Sequence, residues 1–424
     1  MTDPKNKKRR SLFRLTALLL TVSLFSCAVF PGRRAYAGQK KEIIVAVIDT
    51  GVNIDHEYLK EHIWVNKDEI PGNGMDDDEN GFVDDVYGWD FYNNDATVFH
   101  DIVYGSREKG YTHEEDHGTH IAGIIARLIN ESRSFFKKVS DVDVKIMVLK
   151  INGGEKSVGK TGNAVKAIEY AEKKGAVICN LSWGGYENDS ELWDVMRKSS
   201  MYFMCCAGND GTDNDEKPMY PASYDLENVI SVTNGLKGFE KTVILGNYGK
   251  NTVDLSADGY EVWSTVPHGF DTFSGASMAT AMVSGAAAVL MSVGDCTAKE
   301  AYELIRENAE YIPDYTGVRI KGGYCDTDKL FKKMAGIFKA KKEKKVAAML
   351  LNYNEITLKT GEGFTLKCFV LPKDPEVALY FGSSDTEVCE VSYNGLVTCK
   401  KQGDAVVTVR TKTGIEGSCV VHVR

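Results

Sequence analysis

The chain is short of positive charge. Its 424 residues carry 51 Lys and Arg against 60 Asp and Glu, a net of −9. Such a surface repels phosphate backbones and excludes nucleic acid as a principal partner. The chain also lacks a full set of paired cysteines. Ten are present, and Cys27 falls in an N-terminal segment that reads as removable. The remaining nine are an odd number, which argues against a complete disulfide framework. Cys179, Cys205 and Cys206 lie in apolar runs, where a free thiol is a small buried hydrophobe. Cys296 with Cys325, and pairs among Cys368, Cys389, Cys399 and Cys419, are the candidate bridges. The N-terminal apolar run Leu15–Phe30 falls short of the roughly 20 residues that a membrane span needs. What is present, 43% hydrophobic and 26% charged residues, is ordinary globular composition with room for two or three domains.

That N-terminal segment has its own layout. Lys5, Lys7, Lys8, Arg9 and Arg10 precede the apolar run, and Ala35-Tyr36-Ala37 follows it as a small-x-small cleavage site. Residues 1–37 therefore read as a secretory signal peptide, and the protein as secreted or held at the cell surface. Leu24-Phe25-Ser26-Cys27 loosely matches a lipoprotein box, which leaves anchoring at Cys27 as an alternative, and Arg9-Arg10 permits a twin-arginine signal. Without the segment the net charge is −16.

From Ile43 to Phe331 short apolar runs alternate with helical patterns. Ile43–Ile48, Val144–Ile151, Val177–Leu181, Tyr202–Ala207 and Val229–Val232 read as buried strands; Gly162–Lys173 and Met278–Val293 read as helices. The alternation predicts an α/β domain over 38–331, a parallel sheet with helices on both faces. Reactive residues then belong at the carboxyl ends of strands. Residues 332–345 are Lys-rich and read as a frayed helix or linker. Over 346–424 alternating strands separated by Gly, Pro, Asp and Asn predict a small all-β sandwich.

Three segments carry chemistry: VAVIDTGVN around Asp49, HGTHIAG around His117 and FSGASMATAMVSG around Ser277. A serine hydroxyl is a poor nucleophile at neutral pH and needs a base within hydrogen-bond reach, itself oriented by an acid. Ser277 would attack a carbonyl, His117 would take its proton and pass it to the leaving group, and Asp49 would hold the imidazole. Ser277 would stand at the N-terminus of a buried helix, where unpaired N–H groups favour developing negative charge. Asn209, after the strand ending at Ala207, offers an amide for the oxyanion. Singly, each residue has a plainer role: Asp as a strand-end cap, His as a structural ring, Ser as a helix cap. It is their joint occurrence that favours catalysis.

With VAVIDTGVN, HGTHIAGIIA, NLSWGG, AGND, YPASYDLENVISV and GASMATAMVSGAAA in view, residues 42–331 resemble the subtilisin-like serine proteases (peptidase family S8). The resemblance implies an endopeptidase acting on proteins or peptides through an acyl-enzyme, with no cofactor for the chemistry. It implies that Asp49, His117, Ser277 and Asn209 take the roles above. It also implies that Ser182, Trp183, Gly184 and Gly185 pair with substrate backbone, and that Met219 lies on the floor of an apolar or shallow pocket. Two positions depart from the family: Ala276 stands where Thr usually precedes the nucleophile, and Ala281 where Pro usually follows it. The few residues from Gly38 to Glu42 leave no room for the folding prodomain common among relatives, so folding is expected to proceed without one or with outside help. The stretch Ser383–Thr411 resembles bacterial Ig-like domains of group 2, which implies a spacer or a cell-surface contact. A monomer is expected.

Two other functions compete. An inactive domain of this type with its tail would be an adhesion protein. And His113-Glu114-Glu115-Asp116-His117 is a literal HExxH, the zinc protease motif. That motif needs one helix through both His, whereas Gly110, Tyr111 and the acidic interior suit a helix that begins at His117. On the serine reading Glu114→Ala leaves activity intact, and His120 is structural.

The stretch from Asn66 to Asp116 holds fifteen acids and three bases. Within it Asp76, Asp78, Asn80, the Phe82 carbonyl and Asp84 fall at positions 1, 3, 5, 7 and 9 of an EF-hand-like loop, with Gly81 at the turn; Tyr87 stands where the closing Glu would be. A structural Ca2+ is expected there, against the plainer reading of a solvated acidic loop.

Overall fold

A computed structural model describes residues 42–424 apart from 107–109, 137–141, 157, 238–241, 295, 313–317, 343–347, 372–376 and 412–413. The signal-peptide reading of 1–37, with Cys27, lies outside the described residues.

The apolar run after Glu42 alternates perfectly, as a strand buried on both faces must. Val45 and Val47 point into one core, while Ile44, Ala46 and Ile48 point into another. The strand Glu42–Asp49 sits inside a sheet of nine strands. From one edge the order is Tyr324–Cys325, Leu255–Asp258, Val229–Lys237, Tyr202–Cys206, Ile178–Leu181, Glu42–Asp49, Asp143–Lys150 and Gly88–Asp90. All these neighbours pair in parallel. Thr242–Ile244 alone adds antiparallel, on Val229–Lys237. The Asp49 strand therefore ends inside the sheet's carboxyl edge, flanked by Ile178–Leu181 and Asp143–Lys150.

Helices cover both faces, as the alternating pattern predicts. Asp116–Phe135 and Ala276–Gly294 pack on one face, Thr161–Lys173 and Ser190–Lys198 on the other. Ala276–Gly294 has the length and apolarity of a membrane span, but 94% of it is buried inside the protein. Its small residues let it lie close: Gly285 faces the Ile125 backbone and the Leu128 side chain of the neighbouring helix.

The predicted boundary at 331/332 falls inside a helix, Thr327–Lys342. Leu330, Phe331, Met334 and Ile337 recur at helical spacing and all reach the core. The Lys-rich look of this stretch belongs to its outer face. Beyond it the chain is β-rich. Four strands run in the order Glu355–Leu358, Glu416–Val423, Gly403–Thr411, Leu379–Ser383, and three in the order Gly363–Thr365, Leu396–Cys399, Cys389–Val391. Leu366, Val397, Val407 and Val421 fill a separate small core. Cys389 and Cys399 are direct cross-strand partners there, yet all nine described cysteines are free thiols, so none of the candidate bridges is formed.

Candidate active site

Two glycines bring the first strand and the His117 helix together. Gly51 turns with φ +101°, which a side chain would strain. Gly118 lies so close that a Cβ on it would stand 2.1 Å from the Gly51 carbonyl oxygen. Across this contact Gly118 N–H donates to Thr50 Oγ1 at 3.0 Å. The result fixes Asp49 beside His117. Asp49 is 2% exposed, and its ionised carboxylate can only accept, so His117 Nδ1–H donates to Asp49 Oδ1 at 2.7 Å. Thr50 N–H donates to the same oxygen at 2.8 Å. Burial works to lower the His117 pKa, but the adjacent Asp49 carboxylate outweighs it, and the net shift is upward.

Ser277 is the second residue of its buried helix and is itself buried. Its hydroxyl donates to the Ser182 carbonyl at 2.9 Å, and Ser182 Oγ donates back to the Ser277 carbonyl at 3.0 Å. Among the described residues no hydrogen bond joins Ser277 to His117. Apo catalytic bonds commonly tighten only when substrate is bound. Cys206 lies against the Ser277 side chain, and burial pushes its thiol up to about 12. Sequence reasoning treated Cys206 as a core hydrophobe and gave no hint of that contact.

Asn209 stands at the same helix start. Its Oδ1 accepts from Ala276 N–H at 2.7 Å, which leaves Nδ2 to donate, and no described residue accepts from it. The loop that carries it is held by Asn247, which the motif reading missed. Asn247 Oδ1 accepts from the N–H groups of Asp210 and Thr212, and Asn247 N–H donates to the Gly208 carbonyl. Gly208 needs φ +110°, and a Cβ there would strike Asn247 and Met219.

The remaining predicted substrate residues also gather here. Gly185 and Tyr220 exchange both backbone hydrogen bonds. Trp183 Nε1 donates to the Ile48 carbonyl at 2.9 Å. Met219 lies between Gly184 and Gly208, near enough that a Cβ on either would meet it.

The HExxH spelling is broken up by the backbone. His113 ends a strand, Gly110–His113, and the helix starts at Asp116, one residue before the expected start. Glu114 and Glu115 are buried around the fully buried Lys150, with Nζ at 2.6 and 2.7 Å from their carboxylates. Tyr104 Oη and Gly154 N–H also donate to Glu114. Burial alone would raise the Glu114 pKa; the Lys150 ammonium overrides it and holds the carboxyl below its usual range. Glu114→Ala would leave the buried Lys150 ammonium with Glu115 as its remaining carboxylate and take the acceptor from Tyr104 Oη and Gly154 N–H, a cost to stability. His120 is structural in placement: it is buried, stacked on Phe273 at 4.4 Å, and burial lowers its pKa to about 4.

Of the five predicted ligands, Asp76, Asp78 and Asn80 stay together, since Asp76 Oδ1 and Asp78 Oδ1 both accept from Asn80 N–H. Asp76 accepts from the N–H groups of Asn80 and Gly81, and Asn80 Oδ1 accepts from Phe82 N–H. Asp84, at φ +56°, turns its carboxylate to the amides of Asn73 and Gly74. Asp78 also joins Glu69 and Asp85, with one oxygen of each within 4.8 Å of the others. Lys174 pairs with Asp78 beside this group.

Comparison with known proteins adds three findings. The Peptidase_S8 profile, described as the subtilase family, matches residues 40–339. Subtilisin-like protease 1 of Plasmodium falciparum (isolate 3D7) is 29% identical over 311 residues, which cover 67% of this chain and 42% of that protein. The intracellular serine protease of Paenibacillus polymyxa is 33% identical over 259 residues, 60% of this chain and 68% of that protein. This chain thus spans about two fifths of the length of the first of these relatives. Among solved structures, a lanthipeptide protease superposes with a TM-score of 0.50 at 22% identity, covering 69% of this chain and 87% of the other. That likeness is one of fold.

Proposed function

This chain belongs to the subtilase family, and from that premise we propose that it is a serine endopeptidase using Asp49, His117 and Ser277, with Asn209 as oxyanion donor. The observation that carries the proposal is the 2.7 Å bond from His117 to a buried Asp49 at the sheet's carboxyl edge. It orients the imidazole and stabilises its charged form, which is what a general base beside a serine requires. On substrate binding the Ser277 hydroxyl leaves the Ser182 carbonyl and donates to His117 Nε2. As its oxygen attacks the scissile carbonyl, the proton passes to His117 and later to the leaving amine. The Asn209 Nδ2 group and the N-terminus of the Ser277 helix meet the oxyanion. Ser182–Gly185 would pair with substrate backbone, and Met219 gives the adjoining pocket an apolar wall.

Labelling by a fluorophosphonate probe tests this directly. Wild type should label and cleave peptides from a mixed library; Ser277→Ala should do neither while keeping its melting temperature. A folded wild type that fails to label would favour the inactive adhesion reading.

Three further parts belong to the same proposal. Export, by secretion or by anchoring at Cys27, rests on residues 1–37. The β-rich C-terminus acts as an Ig-like spacer or surface-contact module, a reading supported by its small sheets and their own buried core. A Ca2+ steadies the Asp76–Asp85 loop, supported by its all-oxygen donors. The buried Glu69 and Asp85 have carboxyls pushed upward by burial, and a cation would relieve both. Glu69, Asp78 and Asp85 would be the carboxylates nearest that ion.

A further inference from the structure

Outside the triad, ionisable side chains gather in several clusters, and most already hold a cation. Lys150 sits among Glu114, Glu115 and His100, and Lys174 beside Asp78 and Asp85. One group differs. Asp101, His113 and His268 converge with one donor atom of each within 4.8 Å of the others, and no lysine or arginine among the described residues pairs with Asp101. We propose that these three side chains bind a divalent transition-metal ion of the zinc class, with a fourth position left open to water.

The donor set is the first argument. Two imidazoles and a carboxylate suit a borderline ion such as Zn2+, whereas Ca2+ takes oxygen alone. Geometry is the second. Ligands about 2.0–2.1 Å from a tetrahedral zinc lie roughly 3.3 Å from each other. His113 Nδ1 and Asp101 Oδ1 are 3.3 Å apart. His268 Nε2 lies 2.6 Å from the same oxygen, and its exposed side chain can swing out by the small remainder. Third, His113 Nδ1 is a buried atom whose polar neighbour among the described residues is Asp101 Oδ1, inside the cluster. Its backbone is fixed, since His113 N–H donates to Asp116 Oδ2 at 2.7 Å.

The three ligands come from separate pieces of chain. His113 closes the hairpin of Val103–Ser106 and Gly110–His113. His268 is in the turn between Val262–Val266 and Gly269–Phe273. The first hairpin runs on into His117 and the second into Ser277. A bound ion would therefore brace together the two segments that deliver the base and the nucleophile.

The test uses the untagged full chain in excess Ca2+, so that any calcium loop is already filled. Titration with Co2+, and separately with Zn2+ in a calorimeter, should give one equivalent bound. The Co2+ form should show the strong visible bands of a tetrahedral ion, erased by Zn2+, and Zn2+ should raise the melting temperature. H268A changes an exposed ring and should fold normally, yet weaken Zn2+ binding at least about tenfold and remove the visible bands. H113A should do the same. Absence of binding to wild type, or binding undiminished in H268A, would overturn the proposal.

Discussion

On the proposed mechanism, Asp49 controls the pH response of activity through one bond. His117 must be neutral to accept the Ser277 proton, so activity falls as pH drops through its pKa. That pKa is raised above the ordinary 6.5, because the Asp49 carboxylate outweighs burial. The acid limb of kcat/KM against pH should therefore bend above 6.5. In Asp49→Asn the carboxylate is gone and burial remains, so the limb should move to lower pH, while kcat falls about 10⁴-fold because the tautomer is no longer held. Asn209→Ala should cost about 10²–10³ in kcat with little change in KM, the size of loss one oxyanion donor carries in subtilisin. That variant also frees Ala276 N–H, whose acceptor it removes. At this scale the three candidate residues stood out because each lies in a stereotyped local string. Asn247 and Cys206 did not, since their contacts form only when distant loops meet, and no local spacing records them.

At the level of elements, the start of the His117 helix is where spelling and structure diverge. HEEDH reads as one helical motif only if the helix runs through all five residues. The strand Gly110–His113 and the buried turn at Glu114-Glu115 prevent that. Lys150 explains the turn: it is the register partner of Asp49 on the neighbouring strand and draws both glutamates inward. Lys150→Met should leave two buried carboxylates unpaired and cost about 3–5 kcal/mol, read by urea unfolding. Glu114→Gln keeps the hydrogen-bonding shape and should lose less, with cleavage retained in the folded protein. A folded Glu114→Gln protein without activity would restore the zinc-protease alternative. Strand cores were legible to within a residue or two at most ends, because a run buried on both faces has few other homes. Val229–Lys237 outran its apolar stretch, since its pairing with Thr242–Ile244 extends it where sequence polarity suggests an end.

Across the whole molecule, negative charge is concentrated in the stretch before His117. If Ca2+ neutralises the Glu69–Asp78–Asp85 group, the melting temperature should fall by several degrees when chelator replaces Ca2+, with little change in kcat at a temperature where both forms are folded. An identical melting curve would count against the ion. The acidic loop was visible in the sequence, but the gathering of Glu69 and Asp85 around Asp78 was not, since neither lies at a position of the loop spacing. Glu79 and Asp84 take left-handed backbone in that loop, at φ +54° and +56°. The change in texture toward strands was plain in the sequence, while the Lys-rich surface of Thr327–Lys342 hid the core role of Met334 and Ile337. The Gly51–Gly118 contact bears on how such a protein diversifies. Because two backbones touch there, the reach from acid to base is set by main chain alone. Loops around the cleft can be lengthened, recharged or exchanged without retuning it. Variation at the rim and constancy at the centre are thus separable, and a new substrate preference need not be bought with a slower reaction.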